Sequence, residues 1–186
     1  KIDGTQYNGF GTDFERVTQN VTVNNGNETT VTKLKHTSGL IFEVKSVYYP
    51  SYNAYDWTIY IKNEGTDNSP VVSDVNAADL TYEGEKPYLM GNYGDSQQYK
   101  PYTVAINGKH TSAPAGGRGT QGDSSYFNLE YGNKGVLYAV GWPGQWTMSL
   151  DNSGNASETR LTAGQETFNS YLKPGEIVRT PLMAFV

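Results

Sequence analysis

Trp142 and Trp146 flank the tripeptide Pro143-Gly144-Gln145 in the stretch GVLYAVGWPGQWTMSL. Two indoles set around a turn can stack on the apolar face of a sugar ring, or they can close a corner of a β-domain core. Tyr48, Tyr49, Tyr52 and Tyr55 form a second aromatic cluster with the same two uses. Trp57 falls on the apolar face of its segment, and Trp142 shares an alternation with Val136, Tyr138 and Val140; both are expected in the core. Trp146 follows the Pro143-Gly144 turn and closes a corner or sits on its rim. The corner reading is preferred for the pair.

Cleavage of a glycosidic bond takes two carboxylates about 5 to 10 Å apart. Asp13 with Glu15, Asp74 with Asp79, and Glu83 with Glu85 are the sequence-near candidates. Most lie in turn or loop sequence, where acidic side chains are solvated, and no pair stands out. A nucleophilic triad needs a histidine. His36 closes a strand in KLKHTSGL, and His110 sits in the turn-like NGKHTS. No GxSxG elbow accompanies either, and both are expected at the surface. The glycine-rich APAGGRGTQGDSS lacks the Gly-Lys-Ser/Thr ending of a phosphate loop. Arg118 within it can fork onto a carboxylate or onto backbone carbonyls, as a structural clamp.

Alternation with period two must position these residues. AYDWTIYIKN sets Tyr55, Trp57, Ile59 and Ile61 against Asp56, Thr58, Tyr60 and Lys62, and an NEG turn follows at Asn63 to Gly65. GLIFEVKSVYY alternates likewise and is expected to pair with it across PSYN. NVTVNNGNETTVTKLKH reads as a hairpin turning at Asn25-Gly26. SSYFNLEYGNKGVLYAVGW is a second, with its turn at Gly132 to Gly135. GQWTMSLDNSGNASETRLTAG is a third. TFNSYLKPGEIVRTPLMAFV reads as a fourth, turning at Pro174-Gly175 as a type II turn. Both faces of IVRTPLMAFV are largely apolar, which predicts a covered strand. The nearest approach to helical periodicity is VVSDVNAADL, which fits a strand or irregular segment equally well. The stretch from Glu83 to Gly122 reads as long loops. The fold class is therefore all-β, an antiparallel β-sandwich of the supersandwich type with little or no helix, as a single domain over residues 1–186.

The bounds agree. The chain has 186 residues, 21 glycines, 15 tyrosines and a net charge of -5. That usage suits a turn-rich β-protein of a bacterial extracytoplasmic location, periplasmic or secreted. No basic stripe predicts a nucleic-acid partner, and no apolar run reaches the roughly 18 residues of a membrane span. With no cysteine and two histidines, no metal site and no cofactor is expected. The start at Lys1 without Met and the apolar end PLMAFV suggest a piece cut from a longer chain.

Three quoted runs, in order, resemble one family. They are TSGLIFEVKSVYYPSYNAYDWTIYIKNEGTDNSPVVSDVNAADL, then GGRGTQGDSSYFNLEYGNKGVLYAVGWPGQW, then RLTAGQETFNSYLKPGEIVRTPLMAFV. From about Thr37 to Val186 the chain is similar to the N-terminal β-domain of the α-galactosidases of glycoside hydrolase family 36, the melibiase family. Asp56 stands where the pattern favours Glu, and GNYGD, Gly91 to Asp95, matches the family's GSD neighbourhood loosely. The resemblance implies a β-supersandwich ahead of a (β/α)8 barrel. The barrel carries the two catalytic aspartates, which act with retention, so no catalytic residue is carried over to this chain. In some members the β-domain lends residues to the active-site mouth or to oligomer contacts. Trp142, Trp146, Arg118 and Tyr126 are the binding or barrel-interface candidates. The implied partners are the barrel of the same parent chain, a carbohydrate and further copies in an oligomer. Two rival readings stand beside this one: a free-standing carbohydrate-binding, lectin-like sandwich, and a mutarotase-like enzyme, which would need a His acid and a carboxylate base in one cleft.

Overall fold

Asn25 and Gly26 take φ values of 50° and 80°, the left-handed pair that a two-residue type I′ hairpin demands. They join β1 (Phe14–Asn24) to β2 (Asn27–His36) in the register Asn24 to Asn27. The computed structural model describes residues 1–95 and 98–186. A 3-10 turn at Pro50–Tyr52 is closed by Asn53 in the left-handed region. It carries the chain from β3 (Ile41–Tyr49) into β4 (Ala54–Lys62). The structure is an antiparallel, all-β sandwich. It divides into two compact units.

The first unit spans residues 1–75 and 167–182. β1, β2, β3 and β4 lie side by side, and β15 (Ile177–Arg179) pairs with β4. β5 (Val72–Ser73) pairs with β14 (Asn169–Ser170). The core is Ile2, Leu34, Leu40, Phe42, Ile61, Val72 and Leu172. Buried Asn63 ties it: its Nδ2 donates to the Asp67 and Leu172 carbonyls at 2.8 Å each, and its Oδ1 accepts from Gly65 N–H at 3.0 Å.

The second unit spans residues 76–166 and 183–186. One of its sheets orders β6 (Asn76–Glu83), β13 (Glu158–Gln165), β12 (Trp146–Asp151) and β9 (Lys109–Ser112). The facing sheet orders β16 (Leu182–Phe185), β11 (Lys134–Gly141), β10 (Asp123–Tyr131), β7 (Tyr88–Tyr93) and β8 (Pro101–Ala105). Leu89, Phe127, Leu129, Tyr138 and Val140 come from the second of these sheets, and Trp146, Met148, Leu150, Leu161 and Ala163 from the first; all are buried. The Tyr138 hydroxyl donates to Met148 Sδ at 3.5 Å across the layer. Burial pushes that phenol well above its usual range.

The hairpins at Asn25-Gly26, at Gly132 to Gly135 and between β12 and β13 stand as the alternation predicts. Two expectations are corrected. The Glu83–Gly122 stretch is not long loops, because β7, β8 and β9 occupy much of it. β7 pairs with the neighbouring β8 and with the more distant β10, and β9 pairs with the distant β12. The Pro174-Gly175 turn forms, with Gly175 at φ 80° and Glu176 N–H on the Lys173 carbonyl at 3.0 Å. It does not make a hairpin: β14 pairs with β5, and β15 with β4. VVSDVNAADL forms β5 and β6, in line with its strand reading. Met183 and Phe185 are buried, so the last strand is covered as its apolar faces require.

Candidate functional site

The glycine-rich segment from Ala113 to Gly122 is pinned to its neighbours by backbone bonds. Gly94 N–H meets the Gly122 carbonyl at 2.6 Å, and Asp95 N–H meets Thr120 at 3.1 Å. A Cβ on Gly94 would stand 1.7 Å from the Thr120 oxygen, so only glycine permits this approach. The result brings Asp95 and Arg118 together. Arg118 Nη1 donates to Asp95 Oδ2 at 2.9 Å, while Nε and Nη2 donate to Gln121 Oε1 at 3.2 and 2.8 Å. The guanidinium is the clamp onto a carboxylate expected of it. Its side chain stays 59% exposed, against 27% for Asp95. Asp95 Oδ1 is buried and has no hydrogen-bond partner among the described residues.

The Trp-Pro-Gly-Gln-Trp corner braces the same loop from the other side. Trp146 is fully buried. Its Nε1–H donates to the Gly119 carbonyl at 2.8 Å, and Gly119 N–H donates back to Pro143 at 3.2 Å. Phe127 meets the Trp146 indole edge-on at 5.7 Å. Gln145 Oε1 takes the Gly117 N–H at 2.7 Å, and its amide donates to Glu166. Trp146 is thus the structural corner. Trp142, expected in the core, is only half-buried. The reason is the turn itself: the indole leaves the strand face and folds back on Gly144, where a Cβ would lie 3.3 Å from Trp142 Nε1. Tyr126 is 68% exposed at the start of the β10–β11 pairing.

The other candidates fall elsewhere. Trp57 is half-buried rather than core, and Tyr55 is exposed, although both share the face of Ile59 and Ile61. The core cluster covers only the Ile59–Ile61 end of that face. Tyr48 and Tyr55 stack at 4.4 Å, and Tyr49 donates to Asp56 at 2.7 Å. Asp74 pairs with Lys1, and Asp79 takes a two-pronged contact from Arg160. Each of these carboxylates is held by a cation in place of a second carboxylate.

His36 is not a surface residue. It is 3% exposed, caged by Tyr7 and Phe14 with ring centroids 4.8 Å away in each case. Ser38 N–H donates to its Nδ1 at 3.1 Å, which makes that nitrogen the acceptor of a neutral ring. Nε2 is buried without a partner among the described residues. Burial holds the pKa below the usual histidine value, with the Asp13 charge acting in opposition. Nothing in KLKHTSGL signalled this, because the cage comes from residues 7 and 14. His110 lies within β9, not in a turn, with Nε2 3.4 Å from Ser112 Oγ. No group of metal-ligating side chains occurs among the described residues. No described helix is long and apolar enough to cross a membrane.

The architecture is of a defined class. The α-galactosidase of Lactobacillus brevis superposes with a TM-score of 0.74 at 12% identity, covering 92% of this chain and 26% of its own. The GH36 α-galactosidase AgaA of Geobacillus stearothermophilus gives 0.76 at 14% identity, covering 94% of this chain and 28% of its own. The galactosidase domain of the α-galactosidase-sucrose kinase AgaSK gives 0.75 at 14% identity, with coverage of 93% and 27%. The chain has the fold of an N-terminal domain of GH36 α-galactosidases and spans about a quarter of the length of those enzymes. No protein-family model and no curated protein matches the sequence.

Proposed function

We propose that this chain is the non-catalytic N-terminal β-domain of an α-galactosidase-like glycoside hydrolase. It scaffolds a (β/α)8 barrel of the same parent chain and forms part of the wall at the barrel's active-site entrance. The observation that carries the reading is the lopsided coverage: over nine-tenths of this chain superposes on about a quarter of each α-galactosidase. The local resemblance over Thr37 to Val186 supports it independently. Arg118 is the residue that would meet the entrance. It is rigidly seated by Asp95 and Gln121 yet largely exposed, and an exposed guanidinium fork presents donors to sugar hydroxyls.

The test is to assay two forms on an α-galactoside substrate: this chain alone, and the reading frame extended beyond Val186. The chain alone is expected to show no turnover and no saturable galactoside binding. The extended chain is expected to hydrolyse the substrate. Turnover by the isolated chain would overturn the reading in favour of a mutarotase-like or other complete enzyme. Tight galactoside binding by the isolated chain, with an extended chain that is inert, would make it a free-standing sugar-binding module.

A further inference from the structure

An asparagine followed by glycine can convert without an enzyme. The glycine nitrogen gives up its proton and attacks the asparagine Cγ, and ammonia leaves from the side-chain amide. Water then opens the succinimide ring at either carbonyl, giving aspartate or isoaspartate. Glycine favours the step because no Cβ hinders the approach. Three such pairs occur: Asn8-Gly9, Asn25-Gly26 and Asn107-Gly108. All three asparagines are exposed, but the fold holds them differently.

Asn152 braces Asn107-Gly108 from both sides. The attacking nitrogen there, Gly108 N–H, donates to Asn152 Oδ1 at 2.6 Å, and Asn152 Nδ2 donates to the Ile106 carbonyl at 2.9 Å. Asn25 is fixed in the left-handed region by its hairpin, whose ladder resumes at once with Asn24 and Asn27. Ring closure needs the glycine nitrogen on the side of Cβ, so Asn25 would have to leave that conformation and break the turn. Asn8-Gly9 lies outside every strand, and Gly9 N–H has no hydrogen-bond partner among the described residues. Gln6 Nε2 donates to Asn8 Oδ1 at 3.2 Å, the oxygen that takes the negative charge as the nitrogen attacks.

The position gives the reaction a consequence. Tyr7 packs edge-on at 4.8 Å against His36 and at 5.6 Å against Phe14. Phe10 packs edge-on at 5.1 Å against Phe14 and at 5.9 Å against Phe42. Only Asn8 and Gly9 link those two anchored rings. Isoaspartate routes the main chain through Cβ, which lengthens the link by a methylene and sets a carboxylate beside it. The new length and the new charge both oppose the arrangement in which the two rings are seated. We propose that Asn8 is a self-modifying site: of the three pairs it alone converts readily in the folded chain, and its isoaspartate form lifts Tyr7 off His36. The age of the molecule is then written into the covering of a buried histidine. The inference rests on the packing of residues 7–14 and not on the proposed function.

Ageing the chain at mildly alkaline pH and physiological temperature tests it, with Asn8→Gln as the variant and the urea-unfolded chain as the reference. Glutamine keeps the amide but would have to close a larger, slower-forming ring. Peptide mass spectrometry combined with isoaspartyl methylation locates each product. In the folded chain Asn8 is expected to convert at least about tenfold faster than Asn25 or Asn107, whose turns must first open locally. In urea the three rates are expected to converge. An NMR titration of the aged chain is expected to show the His36 pKa, lowered by burial in the fresh chain, moved up toward its ordinary value. The Asn8→Gln chain aged alongside is expected to keep its original titration. Folded-state conversion at Asn25 or Asn107 as fast as at Asn8, or conversion of Asn8 far slower than in urea, would overturn the proposal. So would a lead of Asn8 that persists in urea, which would assign it to the flanking sequence, or a converted chain whose His36 titration is unchanged.

Discussion

Trp146 Nε1 donates to the carbonyl of Gly119, 27 residues upstream, at 2.8 Å. This one bond joins the buried corner of the sandwich to the loop that presents Arg118. Packing and loop geometry are therefore coupled at Trp146 and can be separated by substitution.

Trp146→Ala removes a fully buried indole, and the loss is expected to be about 3 to 5 kcal/mol of unfolding free energy. Trp146→Phe keeps much of the apolar volume but leaves the Gly119 carbonyl unmet, and about 1 to 3 kcal/mol is expected from that. Urea unfolding followed by near-ultraviolet circular dichroism measures both. Equal losses in the two variants would mean that the hydrogen bond, not the ring, carries the corner.

Arg118→Ala is expected to cost more than the roughly 0 to 1 kcal/mol of an exposed ion pair, because the guanidinium is largely exposed but its loss leaves the mostly buried Asp95 carboxylate without a cation. In the extended chain it is expected to raise KM for the α-galactoside while kcat changes less. An unfolded variant would show that the clamp onto Asp95 and Gln121 holds the loop itself together.

Asn63→Ala strips partners from two carbonyls and one N–H at a buried site. About 1 to 3 kcal/mol per orphaned buried group is the scale of that cost. Asn63→Asp keeps the size but turns a donor toward carbonyls into an acceptor, and it is expected to destabilise at least as much as the alanine variant. A denaturation midpoint for Asn63→Asp equal to wild type would refute the assigned amide orientation.

His36 makes stability depend on pH in a definite direction. Its pKa is held below the ordinary value of 6.5 in the folded chain, first by burial, and returns to about 6.5 on unfolding. The unfolded chain therefore binds the proton more readily. The contribution is fully present above about pH 6.5 and is lost as pH falls toward the folded pKa. The urea midpoint is expected to drop as pH falls below about 6.5. His36→Gln can still accept from Ser38 N–H but cannot titrate, so it is expected to flatten that drop. An unchanged slope in the variant would assign the effect to other groups.

Local signals in the sequence were enough for the hairpins. Asn25-Gly26 and the β10–β11 turn each join neighbouring segments with clean alternation, so local chemistry fixes both the turn and the partner. β7, β8 and β9 were not legible, because they are short and lie among glycines and loops; β7 and β8 are separated along the chain by residues 94–100, and β7 and β9 take their other partners from distant β10 and β12. The Pro174-Gly175 turn was legible as a turn, yet nothing local could say that its two arms pair with different strands. Arg118 as a clamp followed from its glycine-flanked setting. Its partner Asp95, 23 residues upstream, became visible only once Gly94 had closed on Thr120. The burial of His36 and the partial exposure of Trp57 depend on what covers each face, which alternation along one strand does not encode.

Leu172 sits in the same core cluster as Leu34 and Val72, yet about a hundred residues separate it from Val72 along the chain. The first unit is therefore interrupted by nearly the whole of the second. During synthesis, β1 through β5 emerge long before the residue that completes their core. The intervening segment, from Asn76 to Glu166, can pair its own strands while the earlier ones wait. Vectorial synthesis thus favours the later-made unit maturing first, and the unit at the amino terminus finishing last.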